Sequence, residues 1–473
     1  MDPLLIIDKL KKDTNNNSFI VIREKIIKKN KIYIIFNDSL ISNDKVSDFI
    51  IRSLDNIKDI NDIKNNLDSC KYKEINNYND FCTYLNNGFT IILFNCIGLA
   101  FETKGNLKRS ISQPTTENAV RGAKDALVED YQTNIGLIKK RIKSNSLWVE
   151  EVEKGKYTNT KIGVCYVNGV VKEELVKKIM NKINSINIDG IITSDDLKLH
   201  LEKGIKSILP TITTTERPDR IAKAILRGKV VIIVDNCPFA LIVPGLFVDY
   251  FKAPEDWYGN SINVSITRMV KYIAFFISIL TPAIYVALIT YNQEIIPTDL
   301  LISFSVQRDG VPFPAFIEAF MMIIAFEIIK ESEYRVPNSN GSALSIVGAL
   351  ILGDAAVSAG IVSPIMIIVI AVTAISSLPF SEPEFTTSIR TYRLIFMLGG
   401  SLLGIVGIVA IFIFFIIRIT SIETFDIPFL APIEPFDKNG FMNTIIKLPN
   451  NKRMKVLSNN KFRGEKWKNY LYF

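Results

Sequence analysis

The sequence contains a single histidine, His200, and this scarcity restricts the chemistry available to it. Histidine is the commonest metal ligand and the commonest general acid–base group in proteins. The sequence also lacks a glycine-rich phosphate-binding motif, a CxxC pair, and the HExxH and GxSxG motifs. The paired acids Asp195-Asp196 and Glu150-Glu151 have no glycosidase or metal-binding context. We therefore expect no catalytic residue, no metal site and no cofactor, and we predict that the chain is not an enzyme.

Cysteine is also scarce, and no two cysteines have the spacing of a metal-binding pair. A disulfide framework is not expected, and the cysteines are best read as small buried apolar side chains in a reducing compartment. The N-terminal segment has no apolar stretch long enough for a signal peptide, so we expect a cytoplasmic N-terminal part. The five cysteines are Cys70, Cys82, Cys96, Cys165 and Cys237.

Charged residues nearly vanish from the last third of the chain. Residues 336–381 carry one charge, Asp354, and residues 272–291 and 394–417 carry none. Because about 20 apolar residues span a bilayer core, residues 269–417 are predicted to be a transmembrane domain of four to five helices. The candidate helices are residues 269–291, 313–329, 342–359, 364–378 and 394–417.

The tail, residues 418–473, carries ten Lys and Arg against five Asp and Glu. This excess predicts a cytoplasmic tail in contact with anionic lipid headgroups. With both termini on one side, the number of crossings is even. The segment 313–329 is short and holds Glu318 and Glu327, so we expect it to re-enter or to lie along the surface.

The net charge of +8 does not indicate a nucleic-acid partner, because basic and acidic residues are interspersed through residues 1–268. This part predicts an α/β (α+β) fold in two subdomains, 1–105 and 106–268, and no repeat is recognisable in it. Alternating apolar runs predict strands and helices, including a long helix over 123–142. Residues 246–258 mix aromatics with charges and predict an amphipathic segment at the membrane interface.

Asp354 is the most informative single residue, because an ionisable group in an apolar helix is costly unless it is paired or hydrated. Small residues recur around it at intervals of four, which allows close helix packing. One hypothesis is a cation pore lined by Gly353, Asp354, Val357 and Ser358, with Val357 as a hydrophobic constriction. The alternatives are close packing alone, and an Asp354 placed at a helix end beside the headgroups.

The segment Glu216-Arg217-Pro218-Asp219 follows three threonines and has two interpretations. It is typical of a helix start, with Thr215 as the cap and proline in the first turn. Alternatively, Arg217 and its neighbours contact another subunit. Our subunit-contact candidates are Arg121, Glu216, Arg217 and Asp219.

Nine segments, in order, resemble the A-subunit family of GerA-type spore germination receptors. The likeness extends from about residue 89 to residue 435. The chain departs from the family's usual Gly-Pro-Arg-Glu at residues 122–125. The matching segments are 109–117 (RSISQPTTE), 120–122 (VRG), 129–135, 140–143, 215–219 (TERPD), 234–244 (VDNCPFALIVP), 255–258 (EDWY), 311–314 (VPFP) with Glu318, and 335–337 (RVP).

The resemblance implies a multi-pass subunit of a nutrient receptor in the spore inner membrane. It also implies that this subunit acts together with a transporter-like B subunit and a lipoprotein C subunit. It also implies a homo-oligomeric channel component that releases monovalent cations. Two alternatives stay open: a scaffold subunit that conducts nothing, and a related sporulation membrane protein that amplifies germination.

Overall fold

A computed structural model describes residues 3–27, 30–55, 72–94, 97–105, 114, 116–117, 122–335, 341–380 and 382–447. It has an N-terminal α+β part with two sheets and a C-terminal helical part. We call residues 3–105 unit 1, residues 122–258 unit 2, and residues 261–420 the helical body. Arg121, Cys70, Cys96 and the end of the basic tail lie outside the described residues.

Unit 1 is a five-stranded antiparallel sheet in the order β1-β2-β4-β5-β3. Helices α1 and α2 cover one face, and a three-part helical stretch over residues 43–55 covers the other. Both faces of the sheet are therefore buried, and every residue of β4 is buried, including Thr90. The bounds are α1 Pro3–Asp13, β1 Ile20–Ile27, β2 Asn30–Asn37, β3 Tyr72–Ile75, α2 Tyr78–Leu85, β4 Phe89–Phe94 and β5 Ile97–Glu102.

Unit 2 has a second five-stranded antiparallel sheet, in the order β6-β7-β9-β10-β8. Helices α3 and α6 pack on one face, and α4 and α5 pack on the other. The bounds are α3 Tyr131–Arg141, β6 Leu147–Lys154, β7 Thr160–Val167, α4 Glu173–Ser185, α5 Ser194–Glu202, β8 Thr213–Thr215, α6 Pro218–Leu226, β9 Val230–Val234 and β10 Ala240–Val243.

The two units repeat one topology, which the sequence did not reveal. Counted from its own first strand, each sheet has the order 1-2-4-5-3, with helices at corresponding places. In both units the helix before the fourth strand ends at a glycine with positive φ, +77° at Gly88 and +81° at Gly228. Glycine adopts this conformation without strain, so it stops the helix and turns the chain into the buried strand. The repeat is one of architecture and spacing rather than of recognisable sequence.

The predicted helix over 123–142 is wrong in its first third. The helix begins at Tyr131, because the Asp130 side chain caps it by accepting from the Thr133 amide at 2.7 Å. Residues 123–130 run extended, and the Asn134 side chain holds the backbone of Val128 through two hydrogen bonds. Side-chain capping of this kind competes with continued helix.

Units 1 and 2 meet around Lys139, a buried side chain on α3. Its ammonium donates to Asn37 Oδ1 at 3.2 Å and lies 4.1 Å from the centre of the Phe19 ring, and both partners belong to unit 1. Phe19 is itself part of the apolar core of unit 2. This buried cation is therefore one of several polar links between the two units, beside the bond from Lys143 to Asn87 and that from Trp148 to the Asp13 carbonyl.

The segment 246–258 forms two short 3₁₀ turns, and three of its aromatic side chains point inward. Phe247, Tyr250 and Phe251 are buried against the helical body. Tyr250 stacks on Phe385 with ring centres 4.4 Å apart. The mixture of aromatic and charged residues that favoured a membrane interface instead joins unit 2 to the helices.

The helical body contains α7 to α12. Its helices are α7 Ser261–Thr290, α8 Thr298–Arg308, α9 Ala315–Arg335, α10 Gly341–Ser358, α11 Pro364–Ser377 and α12 Pro383–Thr420. A short β11–β12 ladder (Glu423–Thr424 and Ile427–Pro428) and α13 Lys438–Ile445 follow. The sequence missed α8, which is short and only weakly apolar. The candidate segment 313–329 is helical from Ala315 onward, and its re-entry or surface location stays a prediction.

The long helix α12 reverses direction at Gly404, whose φ of 62° and ψ of −142° are not helical. Tyr392 contacts Phe415 at 4.7 Å between ring centres, and Phe396 contacts Phe412. In each of these contacts the two residues lie about equally far from residue 404 along the sequence. Residues 383–403 and 405–420 therefore form an antiparallel pair of helices. The predicted single helix over 394–417 is therefore wrong. An apolar run without polar turn residues gives no sign of such a reversal.

The contacts fix the direction of each helix. The C-terminal end of α7 lies against Gly404, and the first turn of α9 bonds to Ser363 at the start of α11. The end of α12 returns to unit 2, where Arg418 donates to the Lys206 carbonyl. In the described residues two helices, α7 and α12, pass a length and composition test for membrane spans. The larger number of crossings stays a prediction.

Candidate functional site

The junction between unit 2 and the helical body holds the densest set of buried charges in the described residues. Arg217 lies at its centre and is 1% exposed. Its guanidinium donates to both carboxylate oxygens of Asp219, at 3.1 and 3.3 Å, and to the carbonyls of Glu117 and Ala123. It thereby fastens the connector before unit 2 to the start of α6.

Glu216 fixes the same connector from the other side. Its Oε1 accepts from the Thr116 amide at 2.6 Å, the Thr116 hydroxyl at 2.7 Å and the Glu117 amide at 3.0 Å. Its own carbonyl accepts from the Leu127 amide. The carboxylate replaces the water that these buried donors would otherwise need.

Asp219 accepts hydrogen bonds from three side chains. Besides Arg217, the Lys223 ammonium and the Tyr258 hydroxyl donate to Oδ2, each at 3.1 Å. Burial alone would raise the pKa of Asp219, but the hydrogen bond from Arg217 and the charge of Lys223 outweigh burial and lower the pKa. Tyr258 lies against Gly122, where any side chain would collide with its ring.

The helix-start interpretation is confirmed with one correction. Pro218 is the first residue of α6 and Asp219 follows it in the first turn, but the cap position belongs to Arg217. Thr215 lies in β8, and its hydroxyl accepts from the Arg217 amide. The contacts of Glu216, Arg217 and Asp219 described above are made within the chain, so contact with another subunit stays a prediction for them.

Arg220 carries the link from unit 2 to the helical body. It pairs with Glu117, and its other terminal nitrogen lies 3.5 Å from Glu382, the residue before α12. Glu382 also accepts from the Thr214 amide at 3.0 Å. Burial raises the pKa of Glu382, and the charge of Arg220 partly offsets this. The sequence did not point to Arg220 or Glu382. The one feature that could have indicated this contact is the glutamate that precedes Pro383.

Further polar contacts cross the same junction. Lys198 on α5 pairs with Glu384, and the Ser388 hydroxyl donates to the Ile208 carbonyl at 2.6 Å. On α7, Arg268 pairs with Asp256 at 2.5 Å. Unit 2 is therefore held to both α7 and α12 by charge pairs and hydrogen bonds rather than by apolar packing alone.

Two glutamates of α9 are paired inside the helical body. Glu318 is fully buried, lies 2.9 Å from Arg308 and accepts from both the amide and hydroxyl of Ser363. Nine residues on, Glu327 lies 2.9 Å from Arg390 and 3.6 Å from Arg393. Buried charges persist where partners compensate them. These partners explain how the segment carries two acids within an apolar domain.

The structure places the pore candidates in the last turn and a half of α10. Asp354 is exposed, and no partner for it is found among the described residues. Ser358 is also exposed, Val357 is half-buried, and Gly353 is buried facing Ile367. Asp354 lies four residues before the helix end, which agrees with a location near the headgroups. Its outward position equally leaves it available to a neighbouring chain.

No group of three or more His, Cys, Asp or Glu residues in the described ranges has the arrangement of a metal site. Ion pairs hold the junction together. They fix the positions of α7 and α12 relative to unit 2.

The sequence matches the family described as "Bacillus/Clostridium GerA spore germination protein" over residues 8–457. It is 41% identical over 353 residues to spore germination protein KA of Bacillus subtilis, covering 74% of this chain and 64% of that protein. It therefore spans slightly less than two thirds of that relative. It is 30% identical to spore germination protein A1 of the same organism over 463 residues, covering 96% of this chain and 95% of the relative.

Among solved structures, the chain is similar to the N-terminal domain of the A subunit of the Bacillus megaterium spore germinant receptor GerK3. The sequences are 26% identical, with a TM-score of 0.39, covering 51% of this chain and 94% of the solved domain.

Proposed function

Because the chain belongs to the GerA family of spore germination proteins, we propose that it is the A subunit of a nutrient germinant receptor. In this proposal it works in the spore inner membrane with a transporter-like B subunit and a lipoprotein C subunit. The N-terminal units lie in the cytoplasm, and the protein forms a homo-oligomer that conducts monovalent cations.

The helical body supports several membrane crossings. Six helical segments run alternately away from and toward unit 2: α7, α9, α10, α11, and the two halves of α12 on either side of Gly404. Helix α9 has 21 residues and measures about 31 Å, close to a bilayer core, whereas α10 has 18 residues and α11 has 14. An even number of crossings also leaves units 1 and 2 on the same side as α13.

Asp354 is the observation that carries the channel proposal. A carboxylate on the outside of an apolar helix costs several kcal/mol if it faces lipid. A second copy of the chain packed against α10 would remove it from lipid and place several carboxylates around one axis. Rings of carboxylates attract cations. The exposed Ser358, one turn further on, extends the polar surface of the same helix.

The test is Asp354→Asn in sporulating cells, with potassium release measured from spores after nutrient addition. We expect slower or smaller release with unchanged assembly of the complex in native membranes, because the amide keeps the size but not the charge. The matched control is Asp299→Asn, an exposed acid on α8. It should leave release unchanged.

Unaltered release in the Asp354→Asn spores would overturn the pore proposal. It would favour the non-conducting scaffold, which agrees with the position of Asp354 near a helix end. Failure of the variant to assemble with B and C subunits would assign Asp354 to packing instead. A role in amplifying germination without sensing nutrients would be favoured if no B or C subunit co-purifies with the chain.

A further inference from the structure

A small charged cavity lies in unit 2 beside α6, on the side toward the helical body. Its volume is about 60 Å³. Its lining comes from α6, the turn between α6 and β9, the first 3₁₀ turn with the residues after it, and one residue each of β8 and β10. The cationic side chains that line it are Arg220, Lys223, Arg227, Lys229 and Lys252.

Two carboxylates, Asp219 and Asp249, also line the cavity, so cations outnumber anions there by five to two. Asp249 serves two of the cations, because Lys229 pairs with one oxygen and Lys252 lies 2.9 Å from the other. Lys229 donates in addition to the Pro244 carbonyl at 2.8 Å. The two carboxylates that line the cavity therefore balance only part of the positive charge of its lining.

The lysine pKa values are consistent with a surplus of positive charge. Burial, together with the neighbouring charges of Arg227 and Lys229, lowers the pKa of Lys252 to about 8 against the opposing effect of Asp249. Burial likewise lowers the pKa of Lys229 and of Lys223. An anion held between these side chains would relieve both effects.

We propose that this cavity binds a small oxyanion through its lysine and arginine side chains. Its volume suits a phosphate or carboxylate group and not a nucleotide. Arginine and lysine bind such groups by charge-assisted hydrogen bonds. The oxyanion is either a free solute or the phosphate of an anionic lipid, because unit 2 joins α7 close to this site.

The cavity lies where an anion would affect the junction. Arg220 lines it and also pairs with Glu117 and Glu382. An oxyanion that draws Arg220 toward the cavity competes with Glu382 for the same guanidinium. Occupancy therefore alters the contact between unit 2 and the start of α12, independently of whether the chain conducts ions.

The experiment measures thermal unfolding of the full-length protein in neutral detergent at low salt. Inorganic phosphate or acetate, added to millimolar concentration at pH 7, should raise the midpoint. Lys252→Gln and Arg227→Gln should each weaken the apparent affinity about ten-fold or more, since each removes a charged donor. The control Lys140→Gln changes an exposed lysine on α3 and should leave the affinity unchanged.

A second arm replaces free anions with vesicles of phosphatidylglycerol, and with phosphatidylcholine as the uncharged reference. Stabilisation by phosphatidylglycerol alone that is lost in Lys252→Gln would identify a lipid phosphate as the oxyanion. The two variants keep the test valid if one of them does not fold. Equal stabilisation of wild type and both variants, or none by any anion, would overturn the proposal.

Discussion

Lys139 shows how a single buried cation links two folding units. Its ammonium contacts an amide oxygen and an aromatic ring of unit 1, while its helix belongs to unit 2. Burial lowers the pKa of Lys139 to about 7, despite the charges of Cys165, Glu151 and Asp38, which act in the opposite direction. The sequence placed this residue only in the predicted helix over 123–142 and predicted no role for it.

At this scale we predict a pH dependence of stability. Between about pH 7 and the ordinary lysine value near 10.4, the unfolded chain holds a proton that the folded chain has released. Stability should therefore rise with pH across this window. Lys139→Met should remove the rise and stabilise the protein below pH 7, since Asn37 Oδ1 keeps its bond from the Ser39 hydroxyl.

The measurement is thermal unfolding of the full-length protein from pH 6 to pH 9. Lys140→Met, which alters the exposed neighbour, serves as the control and should retain the wild-type pH profile. An identical pH profile in Lys139→Met and wild type would assign the dependence to another group.

Gly404 decides the arrangement of the C-terminal helices. A Cβ at this position would lie 2.5 Å from Asn292 Oδ1 and 2.9 Å from the Tyr291 Cβ. The Asn292 side chain also accepts from the Ile405 amide at 3.1 Å, and so satisfies a donor at the start of the returning helix. Gly399 and Gly407 face each other across the pair, which lets the two backbones approach closely.

We expect Gly404→Ala to disrupt this helix pair. The backbone conformation alone costs a non-glycine residue about 1–3 kcal/mol, and the collision adds to that cost. The accumulated amount of protein in the membrane should fall sharply. The control is Gly348→Ala in α10, where no described atom lies within 4 Å of the added methyl group and helix propensity should improve slightly. Normal accumulation of Gly404→Ala would show that the helix continues straight there.

Secondary structure was largely predictable where patterns are local. Most strands of the two sheets and the start of α6 follow from alternating apolar residues, proline and glycine. The late start of the 123–142 helix depends on local side-chain bonds of Asp130 and Asn134, which an apolar pattern does not show. The reversal at Gly404 depends on a contact with Asn292, which is far away in the sequence. Most of the junction could not be predicted either, because Glu117, Arg220 and Glu382 are distant in sequence and meet only after folding.

At the scale of the whole molecule, the directions of the six helical segments determine at which end of the helical body each loop lies. Thr298–Arg308 and Gly404 lie at the end of the helical body far from unit 2, while Lys140 belongs to unit 2 itself. If the six segments cross the bilayer, these two groups are on opposite sides of the membrane.

We predict that cysteines introduced at these places react from opposite sides. Asp299→Cys should react with a membrane-impermeant maleimide from outside the membrane, and Lys140→Cys only after the membrane is permeabilised. Both positions are exposed, so burial does not limit either reaction. The parent protein provides the background from native cysteines. Equal reactivity of both positions in sealed membranes would contradict a crossing by α7, and with it the six proposed crossings.

Helix α7 is longer than a bilayer requires. Its 30 residues measure about 45 Å, whereas the hydrocarbon core is about 30 Å thick. If α7 spans the bilayer, its first turns, with Arg268 bound to Asp256, lie outside the hydrocarbon core. A tilt of unit 2 would then be transmitted along these turns to Pro282, where the missing backbone donor makes bending easiest.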